Sequence, residues 1–194
     1  SGEDGEGNFC MDVEIEPFHL VPDGDCTVRD YFDGELQKMF YPFTETDTTI
    51  TMRIYSPDAG ILVRLKAEDS QDGTHTVETE ALTTVANAWE TLTFDFSNEA
   101  PGTAEINLDY TYDKLSIFFN FGTDGATAGE KTYYFDDITF PATGANYSIG
   151  FDEVRLRCFG GCGVSVVTDP VGAPNQVLEV FRPNGAEFFA GVVA

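Results

Sequence analysis

Between residues 89 and 140, apolar and polar side chains alternate in three runs. In residues 89–97, Leu92, Phe94 and Phe96 fall on one side, and Thr91, Thr93 and Asp95 on the other. In residues 112–122, Leu115, Ile117, Phe119 and Phe121 share a side opposite Ser116, Phe118 and Asn120. The third run, residues 133–140, carries the doublet Asp136-Asp137 near its end. A period of two, filled with aromatic and β-branched residues, predicts half-buried antiparallel strands. Upstream, Ile50, Met52 and Ile54 alternate with Thr49, Thr51, Arg53 and Tyr55. Ile61, Val63, Leu65 and Ala67 likewise alternate with Leu62, Arg64, Lys66 and Glu68. The turns Ser56-Pro57-Asp58-Ala59-Gly60 and Ser70-Gln71-Asp72-Gly73 separate these from a further strand over 74–84. Shorter strands are predicted over 9–15, 26–29 and 36–41, behind a small, acidic leader over 1–8. Residues 98–103 and 123–130 read as loops.

The tail repeats the pattern. Residues 151–157, 164–168, 176–181 and 187–193 read as four more strands. Gly160-Gly161, Asp169-Pro170-Val171-Gly172 and Pro183-Asn184-Gly185 supply the turns between them. A block of this size cannot bury its own apolar faces. It must pack on the strands of 49–140, begin a second module, or complete the sheet of a neighbouring chain. A single enlarged sandwich using every strand in one chain is the plainest arrangement.

Several of these stretches together resemble the jelly-roll carbohydrate-binding modules of the galactose-binding-like superfamily. They are residues 88–97, 112–122 and Tyr134-Phe135-Asp136-Asp137-Ile138, with Ile54-Tyr55-Ser56-Pro57 and residues 63–68 upstream. The likeness covers roughly residues 48–140 and matches the closing half of such a module. In the tail, Phe151-Asp152-Glu153, Asp169-Pro170, residues 177–181, and the segment from Gly185-Ala186 to Ala190-Gly191-Val192 resemble its opening half. The start of the chain is similar to a worn copy of that half. Phe9, Glu14, Cys26-Thr27-Val28 and Asp30 align loosely with Phe151, Glu153, Cys162-Gly163-Val164 and Asp169, at an offset of about 140 residues. The resemblance implies an all-β antiparallel sandwich, with a jelly-roll module over 1–147 and the opening half of a second copy over 148–194. It also implies a non-catalytic module of a secreted, multimodular protein, holding one structural calcium ion.

Composition narrows the partners. The 194-residue chain has 34 acidic and 10 basic side chains and a formal charge of −24, which argues against nucleic acid and anionic membranes. Hydrophobic content of 42% marks a globular chain. There is no initiator Met and no apolar run of about 18 residues, so neither a transmembrane helix nor a signal peptide is predicted. The chain reads as a mature or excised segment. An even number of cysteines, Cys10, Cys26, Cys158 and Cys162, suits an oxidising compartment, hence an extracellular or cell-surface location. Two local bridges, Cys10–Cys26 and Cys158–Cys162, are the simplest of three possible connectivities. Their spacing, with His19 and His75 far off, disfavours zinc. Asn146 heads one glycosylation sequon.

Candidate chemistry is of the binding kind. No Gly-x-Ser-x-Gly occurs and only two histidines are present as near-neutral bases, so no enzyme is expected, although residue type alone leaves a paired-carboxylate glycosidase open. Calcium needs six to eight hard oxygens. Carried over from the resembled family, its ligands are Asp152 or Glu153, or Glu14 in the worn copy, with Asp136 or Asp137. The doublet favours this, since strict alternation turns one of the two toward the buried side. A glycan site needs an exposed ring and polar groups on one face. Phe118, between Ser116 and Asn120, is the sharpest candidate, with Arg64, Lys66, Glu78 and Glu80 on the polar sides of neighbouring strands. The competing reading packs Phe118 beneath the tail strands. Trp89 opens its strand and reads more as an edge cap than a ligand platform; Tyr41, Phe43, Tyr110 and Tyr112 are weaker candidates. Two functions follow: a glycan-binding module of a larger extracellular protein, or a tandem-repeat filament or adhesin subunit whose spare strands dock onto neighbouring copies.

Overall fold

The computed structural model describes residues 43–140, 156–172 and 175–193, together with the short strands β1 (Met11–Asp12) and β2 (His19–Leu20). The chain divides into two compact units, Ser1–Phe40 and Tyr41–Ala194. In the first, β1 and β2 pair antiparallel with Met11 opposite Leu20. Glu14, Asp152, Glu153, Cys10, Cys26, Tyr41 and Asn146 lie outside the described residues, as do the strands expected over 26–29 and 36–41.

The second unit is a sandwich of two five-stranded antiparallel sheets. Its strands are β3 (Thr49–Ser56), β4 (Leu62–Glu68), β5 (Thr76–Leu82), β6 (Ala88–Asp95), β7 (Lys114–Phe119), β8 (Lys131–Thr139), β9 (Arg157–Phe159), β10 (Gly163–Thr168), β11 (Gln176–Arg182) and β12 (Gly191–Val193). Sheet one runs β10-β11-β8-β3-β6, and sheet two runs β5-β4-β7-β12-β9. Strand β5 faces β6 on one side of the sandwich, and β9 faces β10 on the other. A single helical turn, α1 (Gly125–Ala128), starts at Asp124, whose carboxylate accepts the Thr127 amide at 2.8 Å.

The alternation dictates the core. Ile50, Met52 and Ile54 of β3, Val63, Leu65 and Ala67 of β4, and Phe94 of β6 are shut off from solvent completely. Phe119 of β7 stacks on Tyr133 of β8 across the two sheets, 4.8 Å between ring centres and 11° from parallel. Each large side chain buried this way contributes about 1.5–3 kcal/mol.

The tail strands fill positions in both sheets of their own chain. Strand β11 lies between β8 and β10, with Val180 opposite Tyr133; β12 lies between β7 and β9, with Val192 opposite Ile117. The chain crosses from sheet two to sheet one at the Gly160-Gly161 turn, which the Cys158–Cys162 disulfide brackets. Both glycines have positive φ, 67° and 83°, and a Cβ on Gly160 would fall 2.7 Å from the Ala190 Cα. No other residue fits there without displacing the backbone.

One buried cation ties the ends of β7 and β11 to the segments that follow them. Arg182, at the end of β11, is 2% exposed and donates to four backbone carbonyls: Phe119 at 2.7 Å, Asn120 at 3.2 Å, Thr123 at 2.9 Å and Glu187 at 2.8 Å. The Tyr133 hydroxyl is pushed up to about 12 by burial, with the Arg182 charge acting against that shift.

Two local irregularities break strict alternation. Asn120 takes φ 52° at the end of β7, so Phe121 leaves the core side and meets Phe118 edge-on at 5.5 Å. The expectation that Phe121 shares a face with Leu115, Ile117 and Phe119 is corrected accordingly. The second irregularity is the Asp136-Asp137 doublet. Arg53 pairs with Asp136 and Thr51 with Thr139, so β8 spends one more residue than β3 over this span. The extra residue is Asp137, at φ 48° and exposed. The bulge restores Ile138 to the core and leaves Asp136 opposite Arg53, on the outer face, where it is 7% exposed. One aspartate of the pair is thus buried, but beside Arg53 and Asn175 on the outer face and not in the core between the sheets.

Candidate functional site

The outer face of sheet two gathers most of the residues singled out from sequence. Register places Glu80, Arg64, Phe118, Gly191 and Phe159 in one row across all five strands, and Glu78, Lys66, Ser116, Val193 and Arg157 in the next. Arg64 is forked: Nε donates to Glu80 at 2.8 Å, Nη1 to Glu78 at 2.8 Å, and Nη2 reaches Glu80 again. Its guanidinium lies 3.8 Å above the Phe121 ring centre. Lys66 and Lys114 hold Glu68 at 2.8 and 2.9 Å. Burial raises the Glu68 carboxyl, but hydrogen bonds and charge from the two lysines outweigh it and hold the group below its ordinary range.

Phe118 is 8% exposed on this face. It meets Phe159 of β9 at 5.5 Å, above Gly191 of the intervening β12. A Cβ on Gly191 would fall 2.6 Å from the Ile117 carbonyl and 2.9 Å from the Phe159 ring. The glycine is what allows the two rings to meet across a strand. Tail strands thus cover Phe118. Asn120 contributes its carbonyl to Arg182.

The outer face of sheet one has a different texture. Trp89 of β6, Tyr55 of β3, Tyr134 of β8, Glu179 of β11 and Ser165 of β10 form one row across the sheet. The three rings are half-buried and meet edge to face, Trp89 to Tyr55 at 5.7 Å and Tyr55 to Tyr134 at 5.6 Å. The neighbouring rows supply Thr91 and Arg53, then Thr93 and Thr51. Burial, then the nearby negative charge of Glu179, pushes the Tyr134 hydroxyl up.

Arg53 organises one end of this face. It lies 4.1 Å above the Trp89 ring and reaches Asp169 at 3.1 Å, Asp137 at 3.3 Å and Asp136 at 3.8 Å. Trp89 Nε1 donates to the other oxygen of Asp169 at 3.1 Å, and the Val171 amide donates to it at 2.8 Å. Asn175 donates to Asp136 at 2.6 Å. Burial raises the Asp169 carboxyl, while the Val171 amide, Trp89 and Arg53 more than offset that and hold it low. Trp89 is thus fixed on one ring face and at its nitrogen, while Tyr55 and Tyr134 carry the row into the middle of the sheet.

Asp136 and Asp137 consequently serve a guanidinium and an amide. Among the described residues, no group of three or more His, Cys, Asp or Glu is disposed to hold a metal ion. The remaining weaker aromatic candidates lie at one end of the sandwich. Phe43 packs on Phe96 at 4.9 Å, Tyr112 is buried, and Tyr110 stacks on His75 at 3.7 Å. Among the described residues no helix is long and apolar enough to cross a membrane.

Tyr55, Tyr134 and Asp169 were seen in the sequence as motif residues but not as site residues. The first two sit on the polar sides of runs that were recognised, so their outward direction was legible. What could not be read is the register that aligns them with Trp89. No family model matches the sequence, and no significant match was found among curated proteins or solved structures.

Proposed function

We propose that this chain is a non-catalytic, extracellular binding module of the galactose-binding-like kind that takes carbohydrate on the outer face of sheet one. The observation that carries this reading is the lateral row Trp89–Tyr55–Tyr134. The three half-buried rings are tilted 65–75° against one another, so they offer a ridge of ring edges and faces to the C–H side of a sugar, and the two tyrosines offer hydroxyls to its polar rim. The row spans two inter-strand spacings, about 10 Å, long enough for a short oligosaccharide lying across the strands. Threonines 51, 91 and 93 border it with hydroxyls, and half-buried Glu179 and the Arg53-paired Asp137 add carboxylate oxygens at its rim. On sheet two the corresponding polar groups, Arg64, Glu78, Glu80, Lys66 and Glu68, already answer one another. The disulfide fits an oxidising compartment.

The test is a glycan array probed with the parent chain, Tyr55→Ala, Tyr134→Ala and Arg64→Ala. The reading expects binding to a neutral polysaccharide, lost in the two tyrosine variants and kept in Arg64→Ala. A blank array, or loss confined to Arg64→Ala, would overturn it.

The reading keeps one structural calcium, with Asp136 or Asp137 and Asp152, Glu153 or Glu14 as its ligands. A melting temperature unmoved by excess chelator would remove calcium from the account. The filament alternative, with the tail donated to a neighbour, is less well supported. Strands β11 and β12 pair with β8 and β7 of their own chain, which leaves no unfilled place for a donated tail.

A further inference from the structure

We infer that Asn184, in the turn between β11 and β12, is a site of self-modification: its side-chain amide closes on the Gly185 backbone nitrogen, and the isoaspartate that results unlatches the turn from α1. Asn184-Gly185 is the one Asn-Gly pair in the chain. Each other asparagine, Asn8 and Asn146 included, precedes a residue whose side chain crowds the attacking nitrogen. Glycine removes that obstacle.

The turn leaves the reacting groups unengaged. Residues 184 and 185 are its two central positions, closed by the Ala186 amide on the Pro183 carbonyl at 2.9 Å, and neither has positive φ. Among the described residues, nothing accepts the Gly185 amide and nothing bonds the Asn184 side chain, so no such bond has to break before the ring closes. Elsewhere side-chain amides are held: Asn98 donates to Asp95 at 2.7 Å, Asn175 to Asp136 at 2.6 Å, and Asn87 to the Pro57 carbonyl at 3.3 Å. The Asp-Gly pairs at Asp72 and Asp124 are carboxylates and poorer electrophiles. Hydrogen bonds from Thr74 and Thr127 hold these two carboxyls below their ordinary range, and the Gly125 amide is tied to the Ala186 carbonyl at 2.7 Å.

The chemistry needs only water. The Gly185 nitrogen loses its proton and bonds to Asn184 Cγ, the Cγ–Nδ2 bond breaks, and ammonia leaves with that proton. Water then opens the cyclic imide. Cleavage between Cγ and the nitrogen gives aspartate. Cleavage at the backbone carbonyl gives isoaspartate, whose main chain runs through Cβ and is longer by one methylene. The turn is packed too closely to take this up. A Cβ on Gly125 would fall 2.1 Å from the Pro183 carbonyl oxygen and 2.8 Å from both the Asn184 carbonyl carbon and the Ala186 nitrogen, so α1 begins in direct contact with the turn's backbone. Lengthening the turn displaces Ala186 from Gly125, and Glu187 from Arg182, which donates to its carbonyl at 2.8 Å. The inference stands independently of the glycan reading.

The experiment ages the full chain in warm, mildly alkaline heavy-oxygen water and maps its asparagines by peptide mass spectrometry, with isoaspartate told from aspartate by fragmentation. The expected result is conversion at Asn184 ahead of every other asparagine, with label incorporated and isoaspartate the larger product. Gly185→Ala should slow conversion roughly tenfold while the protein stays folded, because a Cβ there meets nothing within 4 Å yet crowds the nitrogen. Asn184→Asp carries the new charge without the longer chain and should melt with the parent; the isoaspartate form should melt several degrees lower. Another asparagine converting first would overturn the proposal. So would an equal rate in folded Gly185→Ala, conversion confined to the urea-unfolded chain, or an isoaspartate form that melts with Asn184→Asp.

Discussion

Arg53 stands directly opposite Asp136 in the β3–β8 ladder, and the next residue, Asp137, is the extra one of a bulge that brings a second carboxylate to the same guanidinium. The bulge explains why two adjacent acids are tolerated in an inner strand. It also makes position 137 a backbone site first and a charge site second. Asp137→Gly should be neutral or stabilising by a few tenths of a kcal/mol, because glycine adopts φ near 48° freely. Asp137→Val should cost about 1–3 kcal/mol, because a β-branched residue is strained there. Denaturant melts of the two variants check the ordering.

Arg182→Met should be among the most damaging single changes in the chain. It removes the donor to four carbonyls at the junction of β7, β11 and the segment before β12. Uncompensated buried acceptors make a loss of about 3–5 kcal/mol the expected outcome. Arg182→Lys should recover only part of it, since an ammonium lacks the planar fork. Equilibrium unfolding in urea measures both.

Gly191→Ala tests the aromatic bridge on sheet two. The added methyl would press on the Ile117 carbonyl and on the rings of Phe118 and Phe159. A destabilisation of about 1–3 kcal/mol is expected. A melting temperature equal to the parent's would show that the rings do not close over β12 as described.

Glu68, Asp95 and Asp169 all have carboxyls held below their ordinary range; in each, burial raises the group and hydrogen-bonding partners outweigh it. A depressed folded-state value means the stabilisation is complete above the unfolded value and is lost as pH falls through the folded one. Melting temperature should therefore decline below about pH 4.5. Glu68→Gln should lose roughly 1 kcal/mol at neutral pH, modest because Lys114 is partly exposed, and should converge on the parent in acid. A pH profile for Glu68→Gln parallel to the parent's would contradict the assignment.

Much of the sandwich is legible in the sequence, because each long strand obeys a period of two. Ile50-Met52-Ile54, Val63-Leu65-Ala67 and Leu92-Phe94-Phe96 are all read correctly as core. The reading fails where one residue with positive φ resets the parity. Asn120 sends Phe121 outward, and Asp137 keeps its neighbour Asp136 from having an inward twin. Both side chains are small and polar, types that tolerate the left-handed region, but nothing local fixes where they do so. Strand order is non-local and equally hidden. That β11 lies beside β8 and β12 beside β7 rests on pairings far apart in the chain, such as Leu178 with Phe135 and Val192 with Ile117. The row of Trp89, Tyr55 and Tyr134 depends on that order and on register, so its members could be seen singly but not together.

Trp89 is the only tryptophan in the chain, and it ends the proposed sugar-binding row. Its fluorescence, titrated with the oligosaccharide that the array identifies, tests the central claim most directly. The account predicts a saturable change in emission that is abolished in Tyr134→Ala at unchanged folding. Calorimetric binding of the same oligosaccharide with silent Trp89 emission and undiminished affinity in Tyr134→Ala would contradict it.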